Sequence, residues 1–206
     1  MGNCCNSTSK KSLKNTKATK QNNNMDSLPS FTYNLANDEC FETSDGKCSC
    51  CNKKRGYIYK GPIFGVFDAE PLICPWCIAD GSASKSLNVE FIPTHYYEAG
   101  DDTNVEFTDE FKFRTPSFTA WQEASWWTHC GDAAVYQCAG GMKEIKAIGG
   151  NEALKFFRVL AEDCGFETIA EQDEFLKYGC GLDRDSTAYI FKCKKCGKCG
   201  GYLDSN

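Results

Sequence analysis

A chain of 206 residues, 41% hydrophobic and 25% charged, is long enough for one ordinary domain with a core of its own. No run approaches the roughly 18 apolar residues of a membrane helix, and the first residues lack the apolar stretch of a secretion signal. Residues 1–24 carry five lysines and no acid, so with a total of −5 the remainder stands at −10, which argues against phosphate-backbone binding as the main task.

Fifteen cysteines are the leading feature of the composition. With no export signal, the thiols are expected in the reducing cytoplasm, where dense cysteine points to metal ligation rather than disulfides. An odd count also leaves one thiol unpaired under a full disulfide scheme.

Residues 1–27, "MGNCCNSTSKKSLKNTKATKQNNNMDS", are polar and lysine-rich, and are expected to form a disordered basic tail. Its start makes Gly2 a candidate for myristoylation and Cys4 and Cys5 for palmitoylation in a eukaryotic host, with the lysines adding attraction to anionic lipid. Such acylation would bring a peripheral membrane contact. Asn6, however, stands where that pattern prefers Ser or Thr.

From Phe31 the chain turns aromatic. "GYIYKGPIFGVFD" (56–68) reads as short strands around a Gly61-Pro62 turn. "RTPSFTAWQEASWWTHCGD" (114–132) reads as a helix, with Thr115 as cap, Pro116 in the first turn and Gly131 as terminator. Its tryptophans belong in the core. "NEALKFFRVLAEDCG" (151–165) carries the clearest helical pattern: Asn151 caps it, Leu154, Phe157, Val159 and Leu160 share a face, and Gly165 ends it. "EQDEFLKYG" suggests a short helix, and "TAYIFKC" (187–193) a strand leading into "KCKKCGKCGGY".

Four cysteine pairs have a two-residue gap: Cys48/Cys51, Cys74/Cys77, Cys193/Cys196 and Cys196/Cys199. A tight turn at that spacing aims both sulfurs at one ion, and two such turns complete the tetrahedral shell that structural zinc prefers. Twenty-two residues separate Cys51 from Cys74, close to the spacing of ribbon-type sites, so Cys48, Cys51, Cys74 and Cys77 form the first expected zinc site. Cys50 leaves its register open. A redox dithiol uses the same gap at a helix N-terminus, but no βαβ pattern precedes Cys74 and a second pair lies near it. Asp80 is then a turn acceptor. Cys193 and Cys196, with Cys199 in reserve, need partners from elsewhere, and "WWTHCGD" offers His129, Cys130 and Asp132. The only other histidine is His95. A buried, hydrogen-bonded histidine is the competing role for His129.

The blocks "FTYNL", "YIYKGPIF", "ICPWCIADGSAS", "FRTPSFTAWQEASWWTHCGDAA" and "YIFKCKKCGKCGGYLD" follow in order from Phe31 to Asp204. Through them the chain resembles the CbrC family, small cysteine-rich proteins named for a bacterial colicin-tolerance protein. The resemblance implies a mostly cytosolic protein without a defined biochemical activity. It places recurrent cysteines on Cys48, Cys51, Cys74, Cys77, Cys130, Cys193 and Cys196, and a histidine on His129. Ala134 stands where the family tends to show a cysteine, and Cys50, Cys138 and Cys199 are additional.

The expectation is one α+β domain over residues 28–206, with short strands, Cys-x-x-Cys knuckles and two to three helices around one or two zinc ions. Its expected role is that of a zinc-binding, non-catalytic adaptor or a stress- or toxin-tolerance protein with a protein partner. The alternative is a zinc- or thiol-dependent enzyme built on His129, Cys130 and Asp132.

Overall fold

A computed structural model describes residues 27–92, 97–98 and 105–205. Gly2, Cys4, Cys5 and His95 lie outside the described residues. Helices and short strands are mixed, and their hydrophobic residues form three adjoining clusters.

The first cluster gathers around a hairpin of β1 (Phe41–Ser44) and β2 (Gly56–Tyr59), paired antiparallel from Phe41↔Tyr59 to Ser44↔Gly56. Two short helices, α1 (Pro75–Ala79) and α2 (Ser82–Leu87), pack beneath it. Phe31, Phe41, Tyr59, Ile73, Ile78 and Phe91 fill the space between, and Cys48, Cys74 and Cys77 belong to the same cluster. Asp80 Oδ1 accepts from the Ser82 N–H at 2.8 Å, the turn role expected of it.

The second half is built on a three-stranded antiparallel sheet in the order β5 (Val135–Gly140), β6 (Ser186–Lys192), β7 (Cys199–Ser205). Strand β6 lies in the middle and is buried on both faces, which the period of two along "TAYIFK" explains. Ala188 and Ile190 face a cluster with Ile145, Leu154, Phe157 and Leu176, whereas Tyr189 and Phe191 face an aromatic cluster with Phe118, Trp126 and Tyr136. A short β3 (Tyr97–Glu98) runs parallel to β4 (Trp126–Trp127).

Helix α4 (Met142–Asp163) covers one face of the sheet and is broken at Gly150, where φ is 63° and ψ −149°. Two helices meet at this break, so a helix does run on from Asn151 as its pattern indicated, with Gly150 rather than Asn151 at the non-helical position ahead of it. Leu154 and Phe157 are buried as their pattern indicated, and Gly165 follows the helix with φ 98°. Val159 is not on that face: it is 57% exposed. Helix α5 (Ile169–Glu174) is capped by Thr168, with Glu171 reaching back to the Thr168 N–H at 2.9 Å, and continues as a π-turn through Phe175–Gly179. Arg158 on α4 grips Asp173 on α5 in a two-pronged bond of 2.7 and 2.8 Å.

The helix expected over 114–132 does not form. A six-residue helix, α3 (Asp109–Arg114), is capped by Thr108 and stops before Thr115, which is extended at φ −116° and ψ 123°. The residue ahead of a proline is pushed out of the α region, so Thr115 ends a helix where a cap was expected. Phe118 and Trp126 meet in the core from an extended path, and Trp121, which helical spacing would have buried beside them, is 47% exposed. The described residues thus hold five helices where two to three were expected, four of them only five or six residues long.

Candidate metal centres

The first centre joins a strand-to-strand loop to a helix start. Between β1 and β2 the chain turns at Cys48–Cys51: the Cys48 N–H donates to Lys53 O (3.0 Å), the Asn52 N–H donates to Cys48 O (2.8 Å), and Asn52 takes φ 56°. Cys74 is the N-cap of α1, with Pro75 in its first turn and the Cys77 N–H donating back to Cys74 O at 3.1 Å. One turn of helix thereby brings Cys74 and Cys77 together, with sulfurs 3.5 Å apart. The two turns face each other at Cys48–Cys77 (3.8 Å) and Cys51–Cys74 (3.9 Å). A tetrahedron with metal–sulfur bonds of about 2.3 Å has edges of about 3.8 Å. All four sulfurs lie within 4.8 Å of one another.

Cys50 stays out of this group. Its sulfur receives the Ser86 hydroxyl (3.2 Å) and reaches the Ser82 hydroxyl (3.4 Å) on α2. That resolves the register left open by the three clustered thiols.

The second centre is made by two opposed hairpin tips. Between β6 and β7 the Cys193–Cys196 turn repeats the pattern of the first loop: the Cys193 N–H donates to Lys198 O (2.8 Å), the Gly197 N–H donates to Cys193 O (3.0 Å), and Gly197 takes φ 76°. The opposite tip follows β4, where Thr128 bridges Ala133 and the His129 N–H donates to Asp132 O at 3.0 Å. Cys130 (φ 57°) and Gly131 (φ 68°) fill this tight turn, both in the left-handed region that a type I′ hairpin demands. Glycine takes that conformation freely; cysteine does not, and pays roughly 1–2 kcal/mol for it. The turn swings two neighbouring side chains the same way, so His129 Nδ1 lies 3.1 Å from Cys130 Sγ and 3.4 Å from Cys196 Sγ. A metal–nitrogen and metal–sulfur pair at tetrahedral angle spans about 3.6 Å. His129, Cys130, Cys193 and Cys196 offer ligand atoms within 4.8 Å of one another.

His129 is buried and stacks on Trp127, ring centres 5.2 Å apart at 22°. Trp127 in turn lies against Gly200 of β7, where a Cβ would overlap its ring. The small residue after Cys199 thus lets the indole sit flat and support the imidazole.

Asp132 and Cys199 are not in the group. Asp132 binds Lys194 Nζ at 3.0 Å and accepts from the Tyr33 hydroxyl at 3.3 Å. Cys199 points away, toward Ile148 O of α4 at 3.8 Å. Cys138, on β5, packs with the residues under α4.

Each cluster holds one anion readily and resists more. Burial acts to raise the Cys48 thiol, but backbone N–H groups of Cys51, Cys74 and Cys50 outweigh it and bring Cys48 down to about 7. Burial then pushes Cys74 up to about 11 and Cys77 higher still, with neighbouring sulfurs opposing further charge on Cys77. In the second group, the Lys198 N–H lowers Cys196, while desolvation and the sulfurs of Cys196 and Cys193 raise Cys130 to about 11. Four thiolates in the first group, or three in the second, repel at this spacing, and a cation among them reverses that balance. The donor set therefore suits a divalent ion. All thirteen described cysteines are free thiols.

The profile of the uncharacterised protein family UPF0167 matches residues 28–205. A UPF0167 protein of Mycobacterium bovis is 34% identical over 182 residues, covering 86% of this chain and 93% of that protein. Another, of Pseudomonas aeruginosa, is 32% identical over 182 residues, covering 86% of this chain and 97% of its own length. No solved structure matches the chain.

Proposed function

The chain belongs to the UPF0167 family, and we propose that it is a two-zinc protein whose ions are structural: one held by Cys48, Cys51, Cys74 and Cys77, the other by His129, Cys130, Cys193 and Cys196. The observation that carries this reading is the closure of both groups to four ligand atoms within 4.8 Å. Tetrahedral sets of four sulfurs, or of three sulfurs and one nitrogen, suit zinc, and a full protein shell leaves no position for the reacting water of a catalytic site.

The enzyme alternative needed Asp132 beside His129 and Cys130. Asp132 is engaged by Lys194 and Tyr33 instead, which supports a scaffold over a catalyst. The protein then acts by presenting a surface to a protein partner, in the cytoplasm. The resemblance to the CbrC family extends this to a role in stress or toxin tolerance. No helix among the described residues is long and apolar enough to cross a membrane; any membrane contact belongs to an acylated Gly2, Cys4 or Cys5.

Apparent binding energies of structural zinc, about 10–16 kcal/mol in small zinc domains, match or exceed the roughly 5–15 kcal/mol of net stability of a typical domain. Removing the first ion is thus expected to unfold at least residues 45–90. Intact-mass measurement under native conditions, on protein purified without chelator, should show two zinc ions per chain. Protein that carries none refutes the proposal.

A further inference from the structure

The two centres differ in what surrounds them. At the first, Cys48, Cys74 and Cys77 are buried and only Cys51 is partly open to solvent. At the second, Cys130 is partly open and Cys196 is exposed. Among the described residues, Cys164 is the only other exposed cysteine, and it lies outside both groups at the C-cap of α4. Cys196 is therefore the only member of either ligand group in the exposed range.

The second centre is also held together by bonds that need no ion. Lys195 Nζ donates to Cys130 O at 2.7 Å, and Lys194 Nζ pairs with Asp132 at 3.0 Å, so each lysine between Cys193 and Cys196 ties its own hairpin tip to the opposite one. At the first centre the two turns are joined by backbone instead, the Ser49 N–H donating to Leu72 O at 2.7 Å and the Leu72 N–H to Ser49 Oγ at 3.1 Å. Cys48, Cys74 and Cys77 belong to the hydrophobic cluster they anchor.

Resting on the two-zinc reading, we propose that Cys196 is a modification site for soft carbon electrophiles, and that its alkylation opens the second centre while the first stays closed and the chain stays folded. In the step, the Cys196 thiolate forms a carbon–sulfur bond as the electrophile's carbon–leaving-group bond breaks, the leaving group departing with the electron pair. The product is a neutral thioether, a far poorer ligand than the thiolate it replaces.

Iodoacetamide tests this on the full zinc-loaded chain, with iodide as the leaving group. Metal release is followed with a zinc-binding dye, adducts are assigned by peptide mass mapping, and folding is followed by circular dichroism. The Cys164→Ser background removes the other exposed thiol among the described residues. The expected result is one equivalent of zinc released in step with the Cys196 adduct, an unchanged spectrum, and a second equivalent retained. Cys196→His keeps a ligand but removes the nucleophile, and should hold both ions through the same treatment. Release that follows adducts on Cys51 or Cys130, loss of both ions together, or unchanged release from Cys196→His overturns the inference alone. A chain holding fewer than two ions before any reagent is added overturns the two-zinc reading and the inference with it.

Discussion

Lys194 Nζ lies 3.0 Å from Asp132 Oδ2 and 3.8 Å from the centre of the Tyr33 ring. This joins the tip that carries Cys193 and Cys196 to the tip that carries His129 and Cys130, and it explains why an aspartate next to candidate ligands is not one of them. Both charged groups are largely shielded, with side chains 28% and 18% exposed. Asp132→Asn should lower the stability of the zinc-loaded protein by about 1–2 kcal/mol, between the values for exposed and fully buried pairs. Zinc content should remain two per chain. Urea unfolding and metal analysis check both; loss of one equivalent would make Asp132 a ligand after all.

Cys130 sits in a conformation that cysteine disfavours (φ 57°), in the position where a hairpin of this type prefers asparagine or glycine. Such strain persists where something offsets it, and a metal–thiolate bond would. Cys130→Asn should therefore act in opposite directions in the two forms. The metal-free chain should gain up to about 1 kcal/mol, while the second ion should be lost to a chelator earlier than in the parent. If the variant weakens the metal-free chain too, the turn strain is not the cost of a ligand.

Away from the centres, the Arg158–Asp173 bond gives a pH-dependent contribution. The guanidinium's two hydrogen bonds hold the Asp173 carboxyl below its ordinary value of 3.8. A carboxyl whose pKa is lower folded than unfolded adds stability that is fully present above the unfolded value, and that is lost as pH falls from about 4 through the folded value. Titration of the carboxyl carbon by NMR should place Asp173 below 3.8, and Arg158→Met should return it toward that value. A midpoint at or above 3.8 in the parent contradicts the account.

The cysteine spacing made the first centre legible because both of its pairs are local: a two-residue gap fixes the geometry of each turn, and only the meeting of the turns needs the fold. The second centre was half legible in the same way, through Cys193 and Cys196. His129 and Cys130 were harder, since neighbouring side chains diverge on a helix and helical spacing of Phe118 and Trp121 pointed to one. The signal against it was "HCGD" between "WWT" and "AAVY", a turn flanked by short apolar runs. There Gly131 marks a reversal between strands rather than a helix end. The pattern of Leu154 and Phe157 located the second part of α4 but not Met142–Gly149 ahead of the break, where "GG" reads as a stop. The lysine struts could not be read at all, because they depend on the distance between two tips far apart in sequence.

The central claim is the composition of two closed shells. Zinc K-edge X-ray absorption on the purified, zinc-loaded chain measures it directly, because seven sulfurs and one nitrogen shared by two ions predict an average of about 3.5 sulfurs at about 2.3 Å and half a nitrogen at about 2.0–2.1 Å per zinc. An average with two or fewer sulfurs per zinc, or with oxygen neighbours in place of them, would contradict it.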